Sequence, residues 1–336
     1  MTTKDISFII PIYNRPNEAK ELLESFEALE GGSEFEIVIV EDGSTNTSKE
    51  VIDAFKDKLN ISYFFKNNTG PGDSRNYGMY HAKGSYFIIL DSDCVLPQDY
   101  LTIVLDNLNN SYIDCFGGPD AAHSSFSNIQ KAINFAMTSF ISTGGIRGKK
   151  NSVNTFEPRS FNMGISRAAF LATGGFGRIH PGEDPDLSIR LTKLGFKTML
   201  IPEAYVYHKR RISWLKFYKQ VYKFGSVRPI LNQWHPETKK ITYWFPTLFI
   251  LAFITAIVLS LFSFTILLKL VALYFVMTFL LAIVSTKSLL VGIYALFAIL
   301  IQFFGYGYGF VKSTLILTFS KKDIESQFPN LFFDIK

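Results

Sequence analysis

Residues 84–97 read GSYFIILDSDCVLP, and this stretch places an apolar run directly before two carboxylates. An apolar run of about five residues bounded by turn formers is typical of an interior strand of a parallel sheet, so it predicts a strand from Tyr86 to Leu90. Asp91 and Asp93 then follow the carboxyl end of that strand, where open α/β sheets bind ligands. Two carboxylates one residue apart can share a hard cation that also binds diphosphate oxygens.

Earlier segments of the chain repeat this arrangement of strand and loop. Short runs of β-branched and aromatic residues predict strands over 6–10, 36–40 and 61–65, with helical patterns between them. Strands that alternate with helices indicate a doubly wound, mostly parallel sheet. The loops after these strands carry Asp42 and Arg75, so we expect both side chains to meet the two carboxylates at one edge of the sheet and form a nucleotide site.

Each of these residues also has a plain structural interpretation. Asp and Ser are common in turns, so residues 91–93 could form a solvated turn, and Asp42-Gly43 could be a plain turn as well. Arg75 follows a Gly-rich loop at the start of a helix, where it could bind a diphosphate bidentately or lie on the surface. The functional interpretation therefore depends on the series of motifs and not on any one of them.

Further short motifs extend this series through about the first 225 residues. In chain order the motifs are PIYN (11–14), EDGS (41–44), GDSRNYG (72–78), DSD (91–93), NMG (162–164), GGF (174–176), GEDPDLSIRL (182–191) and YH (207–208). The ordered series resembles the glycosyltransferase family 2 enzymes of GT-A fold. The resemblance implies an α/β fold, with a Rossmann-like, mostly parallel sheet in the catalytic domain, and the chain adds an all-α membrane domain after it.

The resemblance also implies a role for each matching residue. It implies a nucleotide-sugar donor, a divalent cation (Mn²⁺ or Mg²⁺) on its diphosphate, and Asp184 as the catalytic base. Asp42 would hold the nucleotide base, with Tyr13 and the Pro11 backbone nearby. The implied nucleotide-sugar-binding residues are Pro11, Tyr13, Asp42, Arg75, Asp91 and Asn162, and the implied metal ligands are Asp91, Asp93 and His208.

The chemistry of sugar transfer calls for the same residue types. A cation and an arginine can stabilise the charge that develops on the departing phosphate, and a carboxylate can accept the proton of the attacking hydroxyl. Residues 182–186 read GEDPD, so Glu183 is a local alternative to Asp184 as the base. Acidic residues also favour a helix N-terminus, and a capping role for both is the structural alternative.

The last third of the chain predicts a membrane domain. From 243 to 319 only three lysines interrupt an apolar block, which predicts spans near 244–261, 266–284 and 289–310. Three crossings would place Lys321 and Lys322 outside the cytoplasm, against the positive-inside rule. Two crossings plus a re-entrant or interfacial segment near Gly305, Gly307 and Gly309 would remove that conflict, and the sequence leaves the choice open.

Charge and cysteine content indicate where the soluble part resides. The net charge is +5, and basic residues between 209 and 240 crowd the approach to the apolar block, which favours anionic lipid over nucleic acid as their partner. Aromatic and lysine side chains over 212–225 have helical spacing and predict a helix in the membrane interface. Cys94 and Cys115 are the only cysteines, and no signal peptide precedes the first strand, so we expect a catalytic domain in the reducing cytoplasm.

Taken together, these features predict a membrane-anchored, metal-dependent, inverting glycosyltransferase. It would move a single sugar, favoured as a UDP-sugar, to a hydroxyl of a lipid-linked acceptor. The predicted segments are a catalytic domain (1–211), an interfacial linker (212–242), membrane helices (243–319) and a tail (320–336). A polyprenyl-phosphate glycosyltransferase and a catalytically silent membrane scaffold are the alternatives. Residues 220–224 read QVYKF in place of the Gln-x-x-Arg-Trp of processive synthases, which argues against polymer synthesis.

Overall fold

The computed structural model describes residues 1–32, 34–121, 126–143, 156–208 and 213–333. The strands are β1 (Ile6–Ile12), β2 (Glu36–Asp42), β3 (Ile61–Lys66), β4 (Tyr86–Leu90), β5 (Cys94–Val95), β6 (Cys115–Gly117), β7 (Asp120–Ala121), β8 (Asn162–Ser166), β9 (Thr198–Leu200) and β10 (Val206–His208). The helices are α1 (Pro16–Glu27), α2 (Lys49–Asp53), α3 (Pro71–His81), α4 (Tyr100–Asn110), α5 (Asn128–Thr138), α6 (Phe140–Thr143), α7 (Arg167–Thr173), α8 (Glu183–Lys193), α9 (Trp214–Trp234), α10 (Phe245–Ser260), α11 (Ile266–Thr286), α12 (Leu289–Phe319) and α13 (Ile324–Gln327).

These elements form two compact units. One unit contains the described residues 1–121, 156–208 and 332–333 and includes most of the predicted catalytic domain, so it is named the catalytic unit. The helical unit contains 126–143 and 213–331. The chain therefore leaves the catalytic unit twice, and its last two described residues belong to the catalytic unit again.

The catalytic unit is built on a seven-stranded sheet of order β3-β2-β1-β4-β8-β6-β9. Strands β3, β2, β1 and β4 are parallel, while β8 runs antiparallel to both of its neighbours. The predicted α/β fold with a mostly parallel sheet is confirmed. Because β1, β2, β3 and β4 run in one direction, the loops that follow them emerge at the same edge.

Strand β4 is the central strand of the seven-stranded sheet. Helices cover both faces of the sheet, so β4 is buried on both sides. Ile88 and Leu90 point into one core cluster, formed with α1 and α4. Phe87 and Ile89 point into another, formed with α3, α7 and α8. All five residues of β4 are fully buried, and each large apolar side chain buried in this way contributes roughly 1.5–3 kcal/mol. Burial on two faces explains why the strand is apolar without alternation.

A three-stranded sheet of order β5-β10-β7 lies beside the loop after β4. Strand β10 pairs antiparallel with β5, with His208 opposite Cys94 and Tyr207 opposite Val95. This pairing brings the backbone of His208 next to the turn that carries Asp91 and Asp93. The side chain of His208 lies outside what the structure describes.

In the helical unit, α12 packs against α9 and α5. Glycines allow α9 and α12 to approach closely, since a Cβ on Gly309 would lie 2.4 Å from the Tyr222 carbonyl oxygen. A cluster of buried apolar residues from α5, α9, α11 and α12 forms the core of the unit. The Tyr274 hydroxyl of α11 donates a hydrogen bond of 3.1 Å to the Ile141 carbonyl, which fixes the α5–α6 segment to the long helices.

Three helices of the helical unit are long and apolar enough to cross a membrane. They cover Ile241–Ser260, Ile266–Thr286 and Leu289–Phe319. Few residues of the first two are buried, whereas α12 has a larger buried share because α5 and α9 cover it. Exposed apolar helix surface of this extent indicates association with a membrane.

Candidate active site

In the turn after β4, each of the two aspartates predicted as metal ligands is paired with an arginine. Asp91 Oδ1 accepts a hydrogen bond of 3.0 Å from Arg75 Nη2. Asp93 Oδ2 is bonded to Nη1 of Arg15, which lies in the loop after β1. Both carboxylates therefore lie at the carboxyl end of the sheet, as predicted, and each already has a cationic partner from another loop.

Arg75 on α3 lies at the centre of the site and is almost completely buried. Its Nη2 binds Asp91, its Nη1 lies 3.3 Å from Glu183 Oε1, and its guanidinium carbon lies 5.3 Å from the centre of the Phe176 ring. The sequence interpretation of a surface arginine does not fit this position. Arg75 joins three parts of the chain, because it ties the Gly-rich loop and α3 to both β4 and α8.

Glu183 and Asp184 begin α8 and have opposite electrostatic environments. Glu183 accepts from His180 Nδ1 at 3.0 Å and from Arg75. Burial opposes its ionisation, but His180 and Arg75 outweigh burial and lower the pKa of Glu183. Burial and the neighbouring charge of Glu183 raise the pKa of Asp184 to about 6. The two environments therefore push the pKa values of the pair apart, with that of Glu183 lowered and that of Asp184 raised.

Asp184 presents one carboxylate oxygen for which no described residue supplies a partner. Its Oδ2 accepts a hydrogen bond of 3.2 Å from the Ser160 backbone amide. Its Oδ1 is buried and has no hydrogen-bond partner among the described residues. A carboxylate that is held at one oxygen and open at the other can accept a proton from a bound hydroxyl.

Asp42 is anchored by the Gly-rich loop that follows β3. Its Oδ1 accepts from Lys66 Nζ at 2.6 Å and from the Thr69 amide at 3.0 Å, and its Oδ2 accepts from the Gly70 amide at 3.0 Å. Tyr13, the first residue after β1, is 53% exposed. Pro11 pairs with Val40 on β2. Asp42 thus fixes the Gly-rich loop. Binding of the nucleotide base by Asp42, Tyr13 and Pro11 stays a prediction.

Asn162 is fully buried, and its side-chain amide is engaged within the fold. Its Oδ1 accepts from the Tyr100 hydroxyl at 2.6 Å, and its Nδ2 donates to the Ala204 carbonyl at 2.8 Å. These contacts tie β8 to α4 and to the chain before β10. The predicted contact of Asn162 with the donor has no support from these bonds and stays a prediction.

The donor set at this edge suits a hard divalent cation. Among the described residues, no three His, Cys, Asp or Glu side chains are grouped closely enough to hold a metal alone. Asp91 and Asp93 supply two carboxylates from one turn, and a cation of the magnesium type commonly takes one or two carboxylates plus phosphate oxygens. The two carboxylates fit that pattern, and His208 remains the predicted third ligand.

Several site residues were missed by sequence reasoning. Arg15, Lys66, Ser160 and His180 all contact the predicted carboxylates. The sequence did contain a signal for Arg15. This arginine lies in the loop after β1, at the edge of the sheet where several acidic residues were predicted, so an ion pair with one of them could have been predicted. The Ser160 contact is made by the backbone amide, so no side-chain pattern could have revealed it.

The last described residues of the chain also reach the catalytic unit. Ile179 and Phe332 form an antiparallel bridge. The Phe333 ring lines a cleft with residues of the Gly-rich loop and of the loop before α8, including Thr69, Gly72, Phe176 and His180. A tail predicted as a separate segment therefore contributes to the wall of this cleft.

Comparisons with known proteins agree with this architecture. The mannosyltransferase PcManGT from Pyrobaculum calidifontis, solved with GDP-Man and Mn²⁺, superposes with a TM-score of 0.57 at 14% identity, covering 95% of this chain and 88% of that one. The likeness shows the fold alone, which is of the GT-A type. Residues 7–171 match the family model described as Glycosyl transferase family 2.

Curated relatives match a shorter part of the chain. An uncharacterized glycosyltransferase of Rickettsia felis is 42% identical over 100 residues, which are 30% of this chain and 16% of that protein. The poly(ribitol-phosphate) beta-N-acetylglucosaminyltransferase TarS of Staphylococcus aureus is 34% identical over 98 residues, 28% of this chain and 17% of TarS. The chain thus spans less than a fifth of the length of these two relatives. Together with the family model, which covers just under half of the chain, they support a family 2 glycosyltransferase.

Proposed function

We propose that this protein transfers one sugar from a nucleotide sugar to a hydroxyl of a lipid-linked acceptor, with inversion at the sugar carbon. UDP is the nucleotide that the family resemblance favours. The observation that carries the proposal is the environment of Asp184, whose pKa is raised to about 6 by burial and by Glu183. Its Oδ1 is buried and has no hydrogen-bond partner among the described residues. A general base is most effective when its pKa lies near the working pH.

The residues of the site divide the chemistry between them. Asp184 takes the proton of the acceptor hydroxyl while the oxygen of that hydroxyl bonds to the anomeric carbon of the sugar. The bond from that carbon to the diphosphate oxygen breaks, and the nucleoside diphosphate leaves with the electron pair. Arg75 keeps Glu183 and Asp91 in place beside Asp184. A single displacement of this kind inverts the configuration.

A divalent cation fits this mechanism at the turn after β4. Asp91 and Asp93 would hold it, and when bound it would stabilise negative charge on the departing diphosphate. Arg15 is bonded to Asp93 in the described structure and neutralises part of the acidic charge. An arginine at this position could also meet a diphosphate bidentately.

The acceptor is inferred from the apolar helices. Three of them are long enough to span a membrane, and a catalytic unit tethered to a membrane meets lipid-linked hydroxyls at a high effective concentration. We place the catalytic unit on the cytoplasmic side, as its two free, buried cysteines suggest.

Release of nucleoside diphosphate by the full-length protein in detergent, with native lipid extract, tests this function. We expect one of UDP-, GDP- and dTDP-sugars to turn over with Mn²⁺ or Mg²⁺, and turnover to stop with chelator. Asp93→Ala should abolish the metal-dependent release. Asp53→Asn is the matched control, because Asp53 is an exposed carboxylate paired only with Lys56 on the surface.

Failure of every donor would count against the proposal only after a binding test. Metal-dependent binding of a donor by calorimetry without turnover would indicate that the acceptor is missing. Neither binding nor turnover of any donor would favour the silent-scaffold alternative and contradict the assignment.

The path of the chain supports a proposal for the number of membrane crossings. The chain leaves the catalytic unit after 208 and rejoins it at Phe332. Residues 320–331, which link α12 to Phe332, include Lys321, Lys322, Asp323 and Glu325 and cannot cross a bilayer. A chain that departs from and returns to one side crosses an even number of times. We therefore propose that α10 and α11 cross as a hairpin and that α12, covered by α5 and α9, does not.

Cysteine labelling in sealed vesicles tests this topology. Cys94 and Cys115 are fully buried, which keeps the background low. We expect Ser263→Cys, between α10 and α11, to label from the side opposite the catalytic unit. Ser288→Cys and Ser320→Cys should label from the same side as the catalytic unit. Labelling of Ser320→Cys from the opposite side would show an odd number of crossings and overturn the proposal.

A further inference from the structure

The segment Phe332–Phe333 is bound to the catalytic unit by its backbone. Phe332 forms an antiparallel bridge with Ile179. The Phe333 amide donates to the Arg178 carbonyl at 3.3 Å, and Arg178 Nε donates to the Phe333 carbonyl at 3.3 Å. These bonds hold the end of the described chain against the loop that precedes α8, which is the loop that leads to Glu183 and Asp184.

The Phe333 ring packs between two loops of the site. On one side it covers Gly70, where a Cβ would lie only 2.3 Å from the ring. Gly70 has φ of +95°, a conformation that other residues rarely adopt. On the other side the ring centre lies 5.8 Å from that of the His180 imidazole. The close approach to Gly70 is possible only because that residue has no side chain.

Both loops touched by Phe333 carry contacts to the predicted site residues. The Gly70 amide donates to Asp42 at 3.0 Å. His180 Nδ1 donates to Glu183 Oε1 at 3.0 Å, and the same oxygen lies 3.3 Å from Arg75 Nη1. His180 itself is partly exposed, with 38% of its side chain accessible, so it depends on a neighbour to hold one orientation. The ring of Phe333 is such a neighbour.

We propose that Phe333 is a positioning residue of the active site, whose ring holds His180 against Glu183. The inference rests on the proposed function. With His180 and Arg75 on Glu183, the carboxylate of Glu183 stays committed to its ion pairs. The adjacent Asp184 is then left as the carboxylate that meets the acceptor. Phe333 touches no reacting atom and acts through His180.

Steady-state kinetics of the full-length protein in detergent test this role. Phe333→Ala should lower kcat about tenfold, since small displacements of catalytic groups have effects of this size or larger, while KM for the donor changes less than twofold. Phe333→Tyr should restore most of kcat because the ring is retained. Phe65→Ala is the matched control, since Phe65 is an exposed phenylalanine on β3 of the same unit.

A double-mutant cycle separates positioning from a general loss of stability. His180→Gln should lower kcat by a similar factor, and combining it with Phe333→Ala should cause little further loss, because the two residues act on one contact. Independent, multiplicative losses would overturn the proposal. If Phe333→Ala does not fold, His180→Gln and Phe333→Tyr still report on the contact, and a wild-type kcat in His180→Gln overturns it.

The outcome is distinguishable from failure of the proposed function. If wild-type protein releases no nucleoside diphosphate from any donor, the function itself fails. If wild-type protein turns over and Phe333→Ala keeps its kcat, only the positioning role is overturned. A lower melting temperature with unchanged kcat would likewise show that Phe333 serves the fold and not the site.

Discussion

Asp184→Asn is expected to lower kcat for sugar transfer by about 10²–10⁴-fold, the range typical of a lost general base. Asparagine keeps the size of the side chain but cannot accept the hydroxyl proton. Donor affinity should change little, because the one hydrogen bond that Asp184 makes to the described residues joins its Oδ2 to the Ser160 amide. Nucleoside diphosphate release and donor calorimetry on the same preparation measure the two effects.

Asp186→Asn provides the matched control for that substitution. Asp186 lies two residues further along α8 and binds Arg190 at 2.7 Å. The same chemical change there should leave kcat near the wild-type value and lower the melting temperature. If Asp184→Asn retained full transfer, the acceptor would need no base, and an ionised lipid phosphate would replace the hydroxyl as the preferred acceptor.

The raised pKa of Asp184 also fixes the direction of two pH effects. Because the base must be ionised, kcat/KM should fall as pH drops through about 6. The free energy of unfolding changes with pH in the opposite direction to kcat/KM. A carboxyl whose folded-state pKa lies above its ordinary value stabilises the fold at low pH, and that stabilisation is lost as pH rises to about 6. Asp184→Asn should therefore raise the melting temperature at pH 7 to 8 while it lowers kcat.

Arg75→Met is expected to cause the largest loss of stability in the catalytic unit, about 3–5 kcal/mol. The substitution keeps much of the side-chain length but leaves Glu183 and Asp91 without their shared cation. Glu183 is itself buried, with a side chain only 6% exposed, so its charge cannot be compensated by water. Chemical denaturation of the full-length protein in detergent, followed by a probe in the catalytic unit, measures the loss.

Arg15→Met is the corresponding control for Arg75→Met. Arg15 also pairs with an aspartate of the site, but its side chain is 45% exposed, and exposed ion pairs contribute only about 0–1 kcal/mol. Adding Glu183→Gln to Arg75→Met should recover part of the lost stability, because one uncompensated charge is removed. Equal losses for Arg15→Met and Arg75→Met would contradict the central place given to Arg75.

The central strand and its carboxylates could be predicted from sequence because the signal is local. Strand β4 has the predicted bounds of Tyr86 and Leu90, since an apolar run buried on two faces ends where polar residues begin. Asp91, Asp93 and Arg75 follow from strand direction alone, and the structure brings them together. The series of family motifs then indicated which of these residues belong to one site.

Contacts between distant segments could not be predicted in the same way. Lys66 ends β3 and has the character of a solvated lysine, and only the fold shows that it binds Asp42. The contact of Phe333 with Gly70 joins residues more than 260 positions apart. The apolar sequence of α12 does not indicate that α5 covers it, because α5 belongs to a different segment of the chain. Such pairings depend on complementary surfaces that no periodic pattern records.

The ion pairs that link the loops have a consequence for the entropy of substrate binding. Lys66 to Asp42, Arg15 to Asp93, and Arg75 to Asp91 and Glu183 each join segments that are distant in sequence. Folding has therefore already restricted the loops that a donor must meet. Ordering of loops is one of the main costs of association. In this protein part of that cost falls on folding, and we expect a donor that binds at the predicted site to exchange partners within a set of charges that is already in place.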